Sequence, residues 1–222
     1  MIMDDAFMTL TQAGTAEFKS KGSRFIAYAT QVKSQEQIKE YLEIYRKEHF
    51  KSRHICYAYR LGSDAKDYRA NDDGEPSGSA GLPILNAMKS QQIVNGLVAV
   101  VRYFGGTKLG IPGLIEAYKT SAAQAITDAV PQQDFVYSQY KLSFEYDILG
   151  PLMEVISKTN SVIKSQSYEE NPFISLMTKK SLLDSDLNKI CTKLIGYEVI
   201  NYEEFKLKGF KIDLLEDIEG LI

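Results

Sequence analysis

Two glycine-punctuated loops bracket one uninterrupted apolar run, and this arrangement limits the fold more than any other feature of the chain. The first loop reads Asn71-Asp72-Asp73-Gly74-Glu75-Pro76-Ser77-Gly78-Ser79-Ala80-Gly81. The second reads Arg102-Tyr103-Phe104-Gly105-Gly106-Thr107-Lys108-Leu109-Gly110-Ile111-Pro112-Gly113. Between them, Leu97-Val98-Ala99-Val100-Val101 predicts a strand buried on both faces. Loops this dense in glycine and charge are costly to order, and loops held by a rigid scaffold are where binding sites concentrate.

Around this frame the pattern predicts further elements. Residues 1–22 read as an irregular lead-in. Phe25 to Ala29 is a short aromatic strand, and Ser34 with Gln37 three residues later opens a helix ending near His49. Ile38, Tyr41, Leu42 and Tyr45 share one face of that helix. Strands follow at His54–Arg60 and Asp67–Ala70, then helices over Leu82–Gln91 and Leu114–Ala129, with Pro83 tolerated only in a first turn. Pro131-Gln132-Gln133-Asp134 marks the domain boundary, dividing the chain into 1–131 and 132–222. The second part reads strand (135–146), helix (149–158), strand (161–168), strand (173–178), helix (185–195), strand (197–205). This β-α-β-β-α-β order is that of a ferredoxin-like domain.

Composition sets limits on function. The 222 residues carry 26 Lys and Arg against 29 Asp and Glu, a formal charge of −3. That balance excludes a strongly basic nucleic-acid binder, but it leaves room for a local basic face. Lys19, Lys21, Arg24, Lys51, Arg53, Arg102 and Lys108 fall near expected strand ends and loops. No apolar run approaches the roughly 20 residues of a membrane span. The acidic start lacks a signal-peptide layout, so a cytoplasmic protein is expected. Cys56 and Cys191 are far apart in apolar segments, so no disulfide or zinc framework is expected.

The two loops suggest chemistry of opposite sign. In the second, Gly105, Gly106 and Gly110 free the backbone to turn toward a ligand. Gly113 precedes a helix, and Arg102 and Lys108 add charge, which suits a phosphate. The same glycines equally suit a tight turn joining a strand to a helix. In the first loop, Asp72, Asp73 and Glu75 suit either a hard cation or an acid–base pair. Equally, Asp73-Gly74 forms a turn, one carboxylate caps the next helix, and another pairs with Arg102 or Lys108. His54 serves as a base toward Ser77 or Ser79, or simply begins a strand beside Arg53. Phe104 beside cations suits stacking on an unpaired base, or anchoring of the loop in the core.

Asp72-Asp73-Gly74-Glu75-Pro76-Ser77-Gly78 and Arg102-Tyr103-Phe104-Gly105-Gly106, continued by Lys108-Leu109-Gly110, resemble the signature blocks of the IMPACT/YigZ family. Arg24-Phe25-Ile26 and Ser52-Arg53-His54 also fit its pattern. The resemblance implies an α+β chain of two domains. The first is a ribosomal-protein-S5-domain-2-like α/β domain, and the second a ferredoxin-like domain similar to one in elongation factor G. It also implies a link to translation. No cofactor is expected. The expected function is a non-enzymatic binding protein that contacts RNA, the ribosome or a translation-associated protein, and no membrane. The candidate binding residues are Arg53, His54, Asp73, Glu75, Arg102, Phe104, Gly105, Gly106, Lys108 and Gly110. The alternative is a metal-dependent enzyme acting on a small phosphorylated substrate.

Overall fold

The computed structural model describes residues 5–220. It begins with a short strand, β1 (Ala6–Leu10), followed by a hairpin of β2 (Gly14–Ser20) and β3 (Ser23–Gln31). The hairpin turns on Lys21 and Gly22, at φ of 45° and 81°. Two positive φ values in a two-residue turn match the twist of the flanking strands. The expected irregular lead-in is therefore mostly strand, although residues 1–4 lie outside the described residues. In β2, exposed Thr15, Glu17 and Lys19 alternate with half-buried Ala16 and Phe18. This period-2 pattern is partly hidden in sequence by its charges.

The remaining elements of this unit are α1 (Gln35–Glu48), β4 (His54–Leu61), β5 (Asp67–Asn71), α2 (Gly81–Ser90), β6 (Gly96–Tyr103) and α3 (Gly110–Asp128). Ser34 caps α1, its Oγ accepting the Gln37 N–H at 3.3 Å. The five-stranded sheet runs β2-β3-β6-β4-β5, with every pair antiparallel. Strand β6 lies at its centre, and alternate residues serve two cores. Leu97, Ala99 and Val101 pack with Ile38 and Tyr45 of α1. Val98 and Val100 pack with Ile84 and Met88 of α2 and Ile126 of α3. Fully burying an aliphatic side chain of this size contributes about 1.5–3 kcal/mol, so one strand supports both layers. Helix α3 starts at Gly110 rather than Leu114, because the glycine-rich segment read as loop supplies its first turn.

The chain divides into a unit of Phe7–Asp134 and a second unit comprising Phe135 onward together with Asp5 and Ala6. The second contains β7 (Pro131–Phe144, entering from residue 135), α4 (Leu149–Ile156), β8 (Val162–Ser167), β9 (Phe173–Lys179), α5 (Leu183–Ile195), β10 (Phe210–Leu214) and β11 (Ile218–Glu219). Pairing places the strands in the order β10-β7-β9-β8, the ferredoxin-like arrangement. Its core holds Tyr140, Leu142, Leu152, Ile174, Leu176, Leu187 and Ile190. The last long strand is Phe210–Leu214 rather than 197–205. Gly196, in the left-handed conformation at φ 80°, ends α5, and a 3-10 turn at Tyr202–Glu204 occupies part of the expected strand. Both cysteines are free and buried. Among the described residues, no helix is long and apolar enough to cross a membrane.

Candidate functional site: a basic groove over a buried ion pair

Register on the central strand determines what meets at its end. Arg102 lies opposite Phe25 of β3 on one side and His54 of β4 on the other. Counting back by twos, Arg102 continues the Val100 and Val98 stripe that faces α2 and α3. An arginine thus ends an apolar row, and its side chain is only 9% exposed. Its Nη1 donates to Glu75 Oε1 at 2.6 Å. The Tyr118 hydroxyl, rising from α3, donates to the same oxygen at 2.9 Å. The guanidinium also sits over the Phe25 ring at 5.6 Å and the Phe104 ring at 5.5 Å. Burial pushes the Tyr118 phenol well above its ordinary range, reinforced by Cys56 and Glu75, so it stays protonated and donates.

The first loop is folded by its own acids. Asp73 and Gly74 occupy the centre of a turn at φ of 41° and 87°, closed by the Glu75 N–H donating to the Asp72 carbonyl at 2.9 Å. The Asp72 carboxylate accepts from the N–H groups of Gly78, Ala80 and Gly81 at 2.8–3.0 Å, and so caps α2. The Asp73 carboxylate accepts the Ile55 N–H at 2.7 Å. Turn, cap and ion pair are all present: the turn is closed by backbone, Asp72 makes the cap and Glu75 the ion pair. Among the described residues, no three His, Cys, Asp or Glu side chains come together in a way that could hold a metal ion. Among the described residues, His54 meets no carboxylate. Its Nδ1 is 2.7 Å from the Asp73 carbonyl oxygen, which can only accept, so Nδ1 is the donor. Ser79 is fully buried, with its Oγ donating to the Pro76 carbonyl.

The second loop is fixed by a close backbone approach. A Cβ on Gly105 would lie 1.9 Å from the carbonyl carbon of Gly22, so the β2–β3 turn and this loop touch main chain to main chain. The Gly105 N–H donates to Ser23 Oγ at 3.2 Å. Gly106 and Gly110 take positive φ, 89° and 73°, and Gly113 falls inside α3 rather than before it. Leu109, the cap residue of α3, has no side-chain acceptor to offer, and among the described residues no side chain accepts from the Gly110, Ile111 or Gly113 N–H. Phe104 does not anchor the loop in the core, being 55% exposed. Tyr103 turns to the other face of the sheet, where its hydroxyl shares a hydrogen bond with His49 Nδ1 at 2.9 Å.

These pieces enclose a groove of about 770 Å³. Of the ten sequence candidates, Arg53, His54, Glu75, Arg102, Phe104, Lys108 and Gly110 line it, joined by Lys51, Pro76, Leu109 and Ile111. Asp73 lies on a neighbouring hollow with Arg46 and His49. Gly105 and Gly106 shape the loop without forming the wall. Four basic side chains thus face one carboxylate, and that carboxylate is already bonded to Arg102 and Tyr118. Lys19 and Arg24, also read as part of a basic face, are instead paired to Glu17. Tyr118, which holds Glu75 from behind, carried no sequence signal beyond its place on the apolar side of α3.

A model of the IMPACT N-terminal domain matches residues 21–126. The chain is 32% identical over 166 residues to the IMPACT family member YvyE of Bacillus subtilis (strain 168), covering 75% of this chain and 76% of that one. It is 30% identical over 190 residues to an IMPACT family member of Haemophilus influenzae, covering 85% and 92%. A crystal structure of a hypothetical protein superposes with a TM-score of 0.64 at 25% identity, covering 96% of this chain and 98% of that one. With two relatives matched over most of their own length, and both signature loops forming one groove, the chain belongs to the IMPACT family.

Proposed function

We propose that this chain is a translation-linked binding protein, acting without covalent chemistry, whose groove takes RNA, either free or within the ribosome. The observation that carries the reading is the charge imbalance of the groove. Lys51, Arg53, Arg102 and Lys108 converge on it, while Glu75, the one carboxylate lining it among the described residues, is satisfied from within. A polyanion is the ligand such a surface favours, and the exposed Phe104 ring offers a face for an unpaired base. Family resemblance supports the link to translation. The metal-dependent alternative needs free carboxylates converging on one point, whereas Asp72, Asp73 and Glu75 are bonded to three separate partners.

Fluorescence anisotropy against single-stranded RNA, duplex RNA and duplex DNA at two salt concentrations tests the reading. Salt-sensitive binding to single-stranded RNA is expected, and Lys108→Glu should lower the salt slope by about one unit. Phe104 and Ile111, 55% and 56% exposed on the same groove, favour a second reading, a translation-associated protein partner. Absence of RNA binding at tens of micromolar would transfer the assignment to that partner.

A further inference from the structure

We infer that the groove recognises a terminal phosphate monoester of an RNA strand rather than its internal phosphodiesters, an inference that rests on the reading of the groove as an RNA site. The Arg102 side chain is nine-tenths buried; its Nη1 donates to Glu75, and its Nε is buried with no partner among the described residues. A buried guanidinium with an unmet donor is costly unless a ligand relieves it, and Arg102 lines the groove. The uncapped amides at the start of α3 open beside it, where Gly110 and Ile111 also form the wall. These are two independent features that each favour an anion at the same place.

The distribution of charge favours an end over a track. Lys51, Arg53 and Lys108 join Arg102 around a single hollow. On the same unit, Lys19 and Arg24 are paired to Glu17, and Lys66 to Asp64. A terminal monoester concentrates about −1.5 to −2 charges on one group at pH 7, whereas an internal diester carries one. Phe104, over Arg102, lies where the first base beyond that phosphate can stack.

The test uses the full chain and four fluorescent or competing probes: one short single-stranded RNA with a 5′-phosphate, the same strand with a 3′-phosphate, the same strand with hydroxyls at both ends, and the matching mononucleotide. One phosphorylated end should bind about tenfold tighter than the hydroxyl strand, with the mononucleotide competing for the same site. The advantage should shrink between pH 7.5 and pH 5.5 as the monoester takes up its second proton, whose pKa is about 6. Phe104→Ala and Lys108→Gln, both on the exposed rim, should each reduce it without unfolding the protein. Arg102→Lys gives a second measurement if it folds. Equal affinity for all three strands would overturn the inference and leave RNA binding standing. Absence of binding by any strand would overturn both.

Discussion

Each unit of the molecule buries a carboxylate, and the two have opposite surroundings. In the C-terminal unit, Asp186 on α5 is fully buried and accepts from the Asn160 N–H and side chain, Ser161 Oγ and Thr178 Oγ1, at 2.8–3.2 Å, with Lys189 at 3.6 Å. Each donor comes from the segment it must hold, so the knot ties α5 to the start of β8 and to β9. In the N-terminal unit, Glu75 is nearly as deep, but its partner Arg102 retains a buried Nε with no partner among the described residues. A buried charge with all its bonds made is an element of architecture. A buried pair with one side unfinished at the wall of a groove has capacity for something outside.

The comparison is most easily broken at Asp186. Asp186→Ala leaves several donors without an acceptor and should cost the C-terminal unit about 3 kcal/mol or more. Urea unfolding with hydrogen exchange resolved by segment would show the loss confined to residues beyond Phe135, and an unchanged midpoint would remove Asp186 as the tie. Glu75→Gln should cost the N-terminal unit about 2–3 kcal/mol, because Arg102 loses its countercharge. In the folded fraction, RNA affinity should hold or rise. A fall would mean that Glu75 contacts the ligand rather than balancing Arg102. Tyr118→Phe removes one hydrogen bond to Glu75, with an expected loss of about 1 kcal/mol and no change in salt slope.

The smallest effect is on the Cys56 thiol, which donates to the Asp72 carbonyl at 2.9 Å behind the Glu75 knot. Burial pushes its pKa from 9.0 up to about 12. The raised value means the fold prefers the protonated thiol. Its contribution is complete below pH 9 and lost as pH rises toward 12. At pH 8 a thiol reagent should therefore modify Cys56 only as fast as the unit opens. Labelling at the rate of a free thiol would show a looser knot than the one described.

Much of the architecture is legible in the residues, and its failures share one cause. The Leu97–Val101 run predicts a strand buried on both faces, and β6 is that strand, because an uninterrupted apolar row has no face to give to water. The strand and helix order after residue 134 is legible as well, though the last strand is displaced beyond Gly196. What stayed hidden depended on contacts between distant residues. The charged β2 becomes a strand because a Lys21-Gly22 turn folds it onto β3. Gly110, Pro112 and Gly113 read as loop, yet they begin α3. The acidic loop offered metal site, cap, turn and ion pair without selecting among them. The choice was settled by Arg102 and Tyr118, 27 and 43 positions away from Glu75.

The contact between Gly105 and Gly22 makes an outlying hairpin part of the groove's foundation. Surface turns are ordinarily where chains accept insertions, tags and proteolytic nicks most easily. The Lys21-Gly22 turn is an exception. A residue added there, or a side chain placed at 22 or 105, separates two backbones that have no room to yield, and the displaced segment carries Phe104 with it. Engineering, and drift over generations, are therefore constrained at this turn as tightly as at the hidden core, though it stands at the edge of the sheet.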